Sequence, residues 1–88
     1  MMMNNKVLIK LYVPTLGMNF DIYVPVNEVV WKINRLIVKL VSDMSEADFN
    51  IDRDYALINI DTGCIYDNND IVINTDIRNA SRILLIEI

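Results

Sequence analysis

Apolar positions alternate singly near both ends of the chain and fall at steps of three and four in one stretch between them. In Lys6 to Pro14, KVLIKLYVP, Val7, Ile9, Leu11 and Val13 point one way, and Lys6, Leu8, Lys10 and Tyr12 the other. That alternation predicts a strand buried on one side. Phe20 to Pro25 alternates again, with Phe20, Ile22 and Val24 set against Asp21 and Tyr23. The connection, Pro14 to Asn19, is short and polar and offers Gly17 for a positive φ, so the two strands read as a hairpin.

From Asn27 to Met44 the period changes. Val29, Ile33, Leu36, Ile37, Leu40, Val41 and Met44 lie on one stripe of a helix, and Lys32, Asn34, Arg35, Lys39 and Asp43 fall off it. Asn27 is placed to cap the helix and Glu28 to complement the positive end of its dipole. Val26 and Trp31 stand at the positions of a hydrophobic staple, which is the role expected of Trp31. Trp31 and Val38 lie off the main stripe. Ser42 and Ser45, with no glycine cap, predict a frayed C-terminal end.

The second half reads as shorter pieces. Residues 45–54 form an acidic connection with Phe49 and Ile51 as plugs for the core. Tyr55 to Ile60 is a third strand and Asp61-Thr62-Gly63 a turn. Cys64 to Tyr66 and Ile71 to Ile73 are extended pieces around a polar tip, Asp67 to Asp70, which caps its own backbone. Asp76 to Ala80 is a tight turn, and Arg82 to Ile88 the last strand. A helix lying across a sheet buries the apolar side of both layers. The last strand has no room for a crossover helix of its own, so it is expected beside the first, parallel to it, in the sheet centre. The expected fold is α+β, a β-grasp with a mixed sheet of four to five strands and one helix across it. Residues 1–5 are expected to be a disordered N-terminus and residues 6–88 a single domain.

Composition narrows the function classes. The chain has 88 residues, enough for one domain of modest stability, on the order of 5 kcal/mol. A net charge of −4 with eight scattered basic residues argues against nucleic acid and against an anionic membrane surface. No run approaches the roughly 18 apolar residues of a membrane span, and the N-terminus lacks signal-peptide anatomy. The single cysteine, Cys64, fits a reducing cytoplasm.

Catalytic and metal chemistry find no residues to carry them. There is no histidine to serve as base or shuttle or to activate Cys64 or a serine. One cysteine cannot build a zinc site, and two glycines cannot cradle a phosphate. Asp48, Asn50, Asp52 and Asp54 alternate like the opening of a calcium loop, but Arg53 stands where glycine is required and Asn59 where the bidentate glutamate belongs. The run reads as a solvated acidic loop. No enzyme activity, cofactor or metal is expected.

The segment DIRNASRILLIEI, Asp76 to Ile88, resembles the end of a ubiquitin-like domain, with Ile77 as the buried turn residue and Asn79-Ala80 where Asn-Gly or Asp-Gly is usual. The helix after a proline-bounded hairpin and the stretch YALINIDTGCIYDNND match as well. The resemblance spans roughly Lys6 to Ile88. Within the superfamily, the chain is similar to the small stand-alone ubiquitin-like proteins of type VII secretion loci in Gram-positive bacteria. Ubiquitin-type modifiers and sulfur carriers react through a Gly-Gly tail. The chain stops at Glu87-Ile88 without one, so conjugation and sulfur transfer are not expected. The resemblance implies a non-catalytic cytoplasmic accessory or regulatory protein that acts by binding. Implied partners are a protein of the secretion machine, such as its membrane-anchored ATPase, or a second copy of the chain. The alternatives are a ubiquitin-like adaptor of another complex and a modifier or sulfur-carrier protein.

Alternation also names a surface. If Ile83 and Leu85 face the helix, Leu84 and Ile86 face away from it; if Ile58 and Ile60 face it, Leu57 and Asn59 do not. Leu8, Tyr12, Tyr23, Leu57, Leu84 and Ile86 are then the expected partner-binding residues, on the side through which ubiquitin-like domains commonly bind. Exposed apolar clusters of this kind mark interfaces.

Overall fold

A computed structural model describes residues 5–45 and 49–88. The strands are β1 (Lys6–Val13), β2 (Met18–Pro25), β3 (Tyr55–Asn59) and β4 (Ser81–Glu87), and the helix α1 (Val30–Met44) follows the β1–β2 hairpin. The sheet order is β2-β1-β4-β3, with β1 and β4 parallel in the centre and the outer pairs antiparallel. This is the expected α+β β-grasp architecture, with four strands. A short 3-10 turn, Val72–Asn74, lies in the β3–β4 connection. Among the described residues no helix is long and apolar enough to cross a membrane. Residues 1–4 of the predicted disordered N-terminus lie outside the described residues. The Asn5 carbonyl accepts a hydrogen bond from the Val26 N–H at 2.7 Å.

The core fills the gap between α1 and one sheet face. Ile9, Leu11 and Val13 of β1, Ile22 and Val24 of β2, and Ile83 and Leu85 of β4 are buried against Val30, Ile33, Ile37 and Val41 of α1. The alternation read in β1, β2 and β4 is therefore the in–out pattern of the sheet. Gly17 adopts φ +63° in the hairpin turn, a conformation a side chain would strain.

The helix differs from its prediction in its start and in its buried face. It begins at Val30, with Val29 as its N-cap residue and no side-chain cap. Asn27 and Glu28 do not start it because they lie in a turn and bend tied by backbone hydrogen bonds to residues 71–73. The N–H groups of Ile73 and Val72 donate to the carbonyls of Val26 (2.8 Å) and Glu28 (2.9 Å), and Val29 bridges Ile71. The free N–H groups of Val30 and Trp31 donate instead to the carbonyls of Asp70 (2.8 Å) and Asn68 (3.1 Å). The Asp67–Asp70 turn thus caps the helix as well as itself, where Asp67 Oδ1 accepts from the Asn69 N–H at 2.8 Å.

The buried stripe is also rotated. Val38 is buried, whereas Leu36 and Met44 are exposed. The Asn34 amide donates to the Tyr55 carbonyl at 2.8 Å, which turns that side of α1 toward β3 and carries Val38, one turn on, inward. Trp31 is exposed rather than a closed staple. Phe49 does plug the core, stacking on Tyr55 at 5.0 Å between ring centroids. Ile51 does not. Asn50 Oδ1 accepts from the Asp52 N–H at 2.9 Å, and the turn so formed leaves Ile51 exposed.

Candidate functional site

The candidate site is the sheet face that α1 does not cover. Directly paired residues on neighbouring strands share a face, so the register defines its rows. Tyr12 of β1 pairs with Leu84 of β4, Leu84 with Ile58 of β3, and Ile58 bridges Ile65 in the segment beyond the β3 edge. These four side chains form an apolar band across the sheet. Ile86 and Ala56 pair in the next row, extending it. On the other side, Lys10 pairs with both Asp21 and Arg82. Lys10 Nζ lies 3.7 Å from Asp21, and Arg82 forms an ion pair with Asp61. Leu8 and Tyr23 pair beyond that charged row.

Five of the six residues named from the sequence lie on this face: Leu8, Tyr12, Tyr23, Leu84 and Ile86. Leu8, Tyr12, Leu84 and Ile86 are half-buried and Tyr23 is exposed. Leu57 does not belong to it. Leu57 pairs with Leu85, faces α1 and is only 2% exposed. The phase of β3 is set by Tyr55, whose ring packs inward on Phe49 and whose hydroxyl donates to the Asn50 carbonyl at 2.6 Å. Counting in twos from Tyr55 puts Leu57 in and Ile58 out. Ile60, expected to face the helix, follows the end of β3 and is exposed. The residues the sequence reading missed are Ile58 and Ile65. Ile65 is 67% exposed, and its isolated bridge to Ile58 places it on the face.

The segment carrying Ile65 is held at both sides. The Asn59 N–H donates to the Cys64 carbonyl and the Tyr66 N–H to the Leu57 carbonyl, each at 2.9 Å. The Tyr66 hydroxyl donates to Asp76 at 2.7 Å, and the Asn59 side-chain amide donates to the same carboxylate at 3.1 Å. Burial, then the Asp76 hydrogen bond, pushes the Tyr66 phenol well above its ordinary range; burial and the nearby Glu87 raise Tyr55 as well. A raised phenol favours the neutral form in the fold. Its stabilisation is complete below the unfolded pKa of about 10 and is lost as pH rises above it. The urea midpoint is therefore expected to fall as pH rises above about 10, and Tyr66→Phe to make that fall shallower. An unchanged alkaline slope in the variant would contradict the assignment.

Among the described residues no three His, Cys, Asp or Glu side chains converge as a metal group. Asp48, the first member of the alternating acidic run, lies outside the described residues. The uncovered face offers apolar side chains framed by the Lys10–Asp21 and Arg82–Asp61 ion pairs.

No protein-family model matches the sequence, and no curated protein matches it. Solved structures do. The chain is similar to part of a chain in the MycP5-free ESX-5 inner membrane complex, at 14% identity and a TM-score of 0.72; the match covers 97% of this chain and 21% of that one. It is similar to the ubiquitin-like domain of Dsk2 from Plasmodium falciparum, at 12% identity and a TM-score of 0.71, covering 94% of this chain and 99% of that one. It is similar also to a ubiquitin-like domain from Arabidopsis thaliana, at 19% identity and a TM-score of 0.69, covering 96% and 79%. At these identities the likeness is one of fold, and the fold is ubiquitin-like.

Proposed function

We propose that the chain is a non-catalytic accessory or regulatory protein of a type VII secretion system, acting in the cytoplasm by binding a protein partner through the outer sheet face. The observation that carries the binding reading is the band Tyr12–Leu84–Ile58–Ile65, an apolar strip on the one sheet side that no element of the described chain covers. The link to secretion is supported by the fold shared with part of an ESX-5 inner membrane complex chain, of which the present chain spans about a fifth. The partner proposed is a membrane-anchored secretion ATPase or a companion subunit. A second copy of the chain is the alternative occupant of the same face.

The test is affinity capture from native cytoplasm with the wild-type protein and a Leu84→Glu/Ile86→Lys variant. Wild type is expected to retain the secretion ATPase or its companions, identified by mass spectrometry. The double variant is expected to lose them while keeping the wild-type circular dichroism spectrum. Retention by both proteins removes the face from the interface. Capture of an unrelated assembly by wild type alone keeps the face and transfers the function to that assembly.

A further inference from the structure

We propose that the free edge of β2 is the docking surface for a second copy of this chain, which adds its own β2 antiparallel and joins the two sheets into one. This inference does not rest on the outer sheet face. The β1–β2 register and the Val26–Asn5 bond fix where the backbone groups of β2 point. Those of Met18, Phe20, Ile22 and Val24 turn to β1. The N–H and C=O groups of Asn19, Asp21 and Tyr23 turn the other way, and among the described residues they have no hydrogen-bond partner. The β3 edge differs. There the outward carbonyls of Tyr55, Leu57 and Asn59 accept from the Asn34 side-chain amide, the Tyr66 N–H and the Gly63 N–H, and the Asn59 N–H donates to the Cys64 carbonyl. A row of unpaired backbone groups on an edge strand is a template for another strand.

The occupant is a second copy because β2 complements itself in one register. With the two-fold axis at Ile22, Asp21 stands opposite Tyr23 of the second copy and Asn19 opposite its Pro25. The Asn19 N–H then donates to that proline's carbonyl, so the N–H that proline lacks is not needed. On the helix side Ile22 meets Ile22, and Phe20 meets Val24, an aromatic beside a β-branched side chain. Met18, 41% exposed in the single chain, meets Val26. Moving the axis to Asp21 would set the two Asp21 carboxylates opposite each other, which is unfavourable. Within each copy Asp21 is already paired with Lys10 at 3.7 Å. α1 contacts β2 and β3 alike, so it lies over the sheet centre. At about 4.8 Å per strand the two helices stand roughly 20 Å apart and do not collide. The axis passes through the joined sheet, so both outer faces point the same way and form a bivalent pair.

Sedimentation of the full chain from about 10 µM to about 1 mM spans the affinities of a small interface. A dimer is expected, and hydrogen exchange at the Asn19, Asp21 and Tyr23 amides is expected to slow as concentration rises. Each copy carries a net charge of −4, so added salt is expected to tighten the dimer. Tyr23→Lys sets a cation opposite Asp21 of the second copy and is expected to tighten association roughly fivefold, whereas Tyr23→Asp is expected to weaken it by roughly the same factor. Tyr23 is 60% exposed, so neither change disturbs the fold. The Leu84→Glu/Ile86→Lys variant is expected to dimerise like wild type, which separates the edge from the outer face. A monomer throughout, equal affinity in the two Tyr23 variants, or loss of the dimer in the Leu84/Ile86 variant overturns the proposal.

Discussion

Leu57→Ala is expected to remove about 3 kcal/mol of folding stability, within the 2–5 kcal/mol typical of a buried leucine truncation. The side chain is 2% exposed and sits opposite Leu85, itself 1% exposed, beneath α1. Truncation leaves a void that the close-packed layer can fill only in part. In a domain whose whole stability is on the order of 5 kcal/mol, that is most of the margin. Ile58→Ala, one residue along on the uncovered face, is expected to cost about 1 kcal/mol or less. Urea unfolding followed by circular dichroism compares the two directly. If Ile58→Ala proved the more damaging, β3 would have the opposite phase, because a one-residue slip exchanges the two faces of a strand. The proposed binding face would then have to be redrawn with Leu57 on it.

The reason β3 was ambiguous lies in its residues. YALINI is apolar at Tyr55, Ala56, Leu57, Ile58 and Ile60, so both phases of a two-residue repeat have apolar support. In β1 and β4 the inward phase was legible because lysine in β1 and Arg82 in β4 mark the other set. The phase of β3 is decided instead by contacts outside the strand: the pairing with β4, the Asn34 bond to the Tyr55 carbonyl and the packing of Tyr55 on Phe49. The helix start shows the same limit. Asn27 and Glu28 are good local start signals, but residues 71–73 hold Val26 to Val29 in a turn ending in a bridge, and Asn68 and Asp70 supply the capping carbonyls. Local chemistry therefore revealed the architecture and most of the face, Leu8, Tyr12, Tyr23, Leu84 and Ile86. It did not reveal Ile58 and Ile65, whose membership depends on which strands become neighbours.

Ile77→Ala is expected to cost about 3 kcal/mol, and Ala80→Gly, three residues away, to add about 1 kcal/mol. Ile77 is 6% exposed and plugs the turn into the core, as the resemblance implied. Around it the backbone is tightly tied. The Leu8 N–H donates to Asn79 Oδ1 at 2.9 Å, and the Ala80 N–H returns a bond to the Leu8 carbonyl at 2.7 Å. Ser81 Oγ accepts from the Arg78 N–H at 2.8 Å. These bonds fix where β4 enters beside β1, and they hold Ala80 at φ 70°. That left-handed conformation strains any side chain with a Cβ and is open to glycine. The strain exceeds the extra freedom glycine brings to the unfolded chain, so Ala80→Gly stabilises despite its usual entropic cost. For a domain of this size about 1 kcal/mol corresponds to a rise of roughly 4–8 °C in Tm. Calorimetry of wild type, both single variants and the double variant completes the test. Residues this close share a turn, so departure from additivity measures how far the Ile77 plug enforces the Ala80 conformation. A lower Tm for Ala80→Gly would show that the turn relaxes out of the left-handed region in solution.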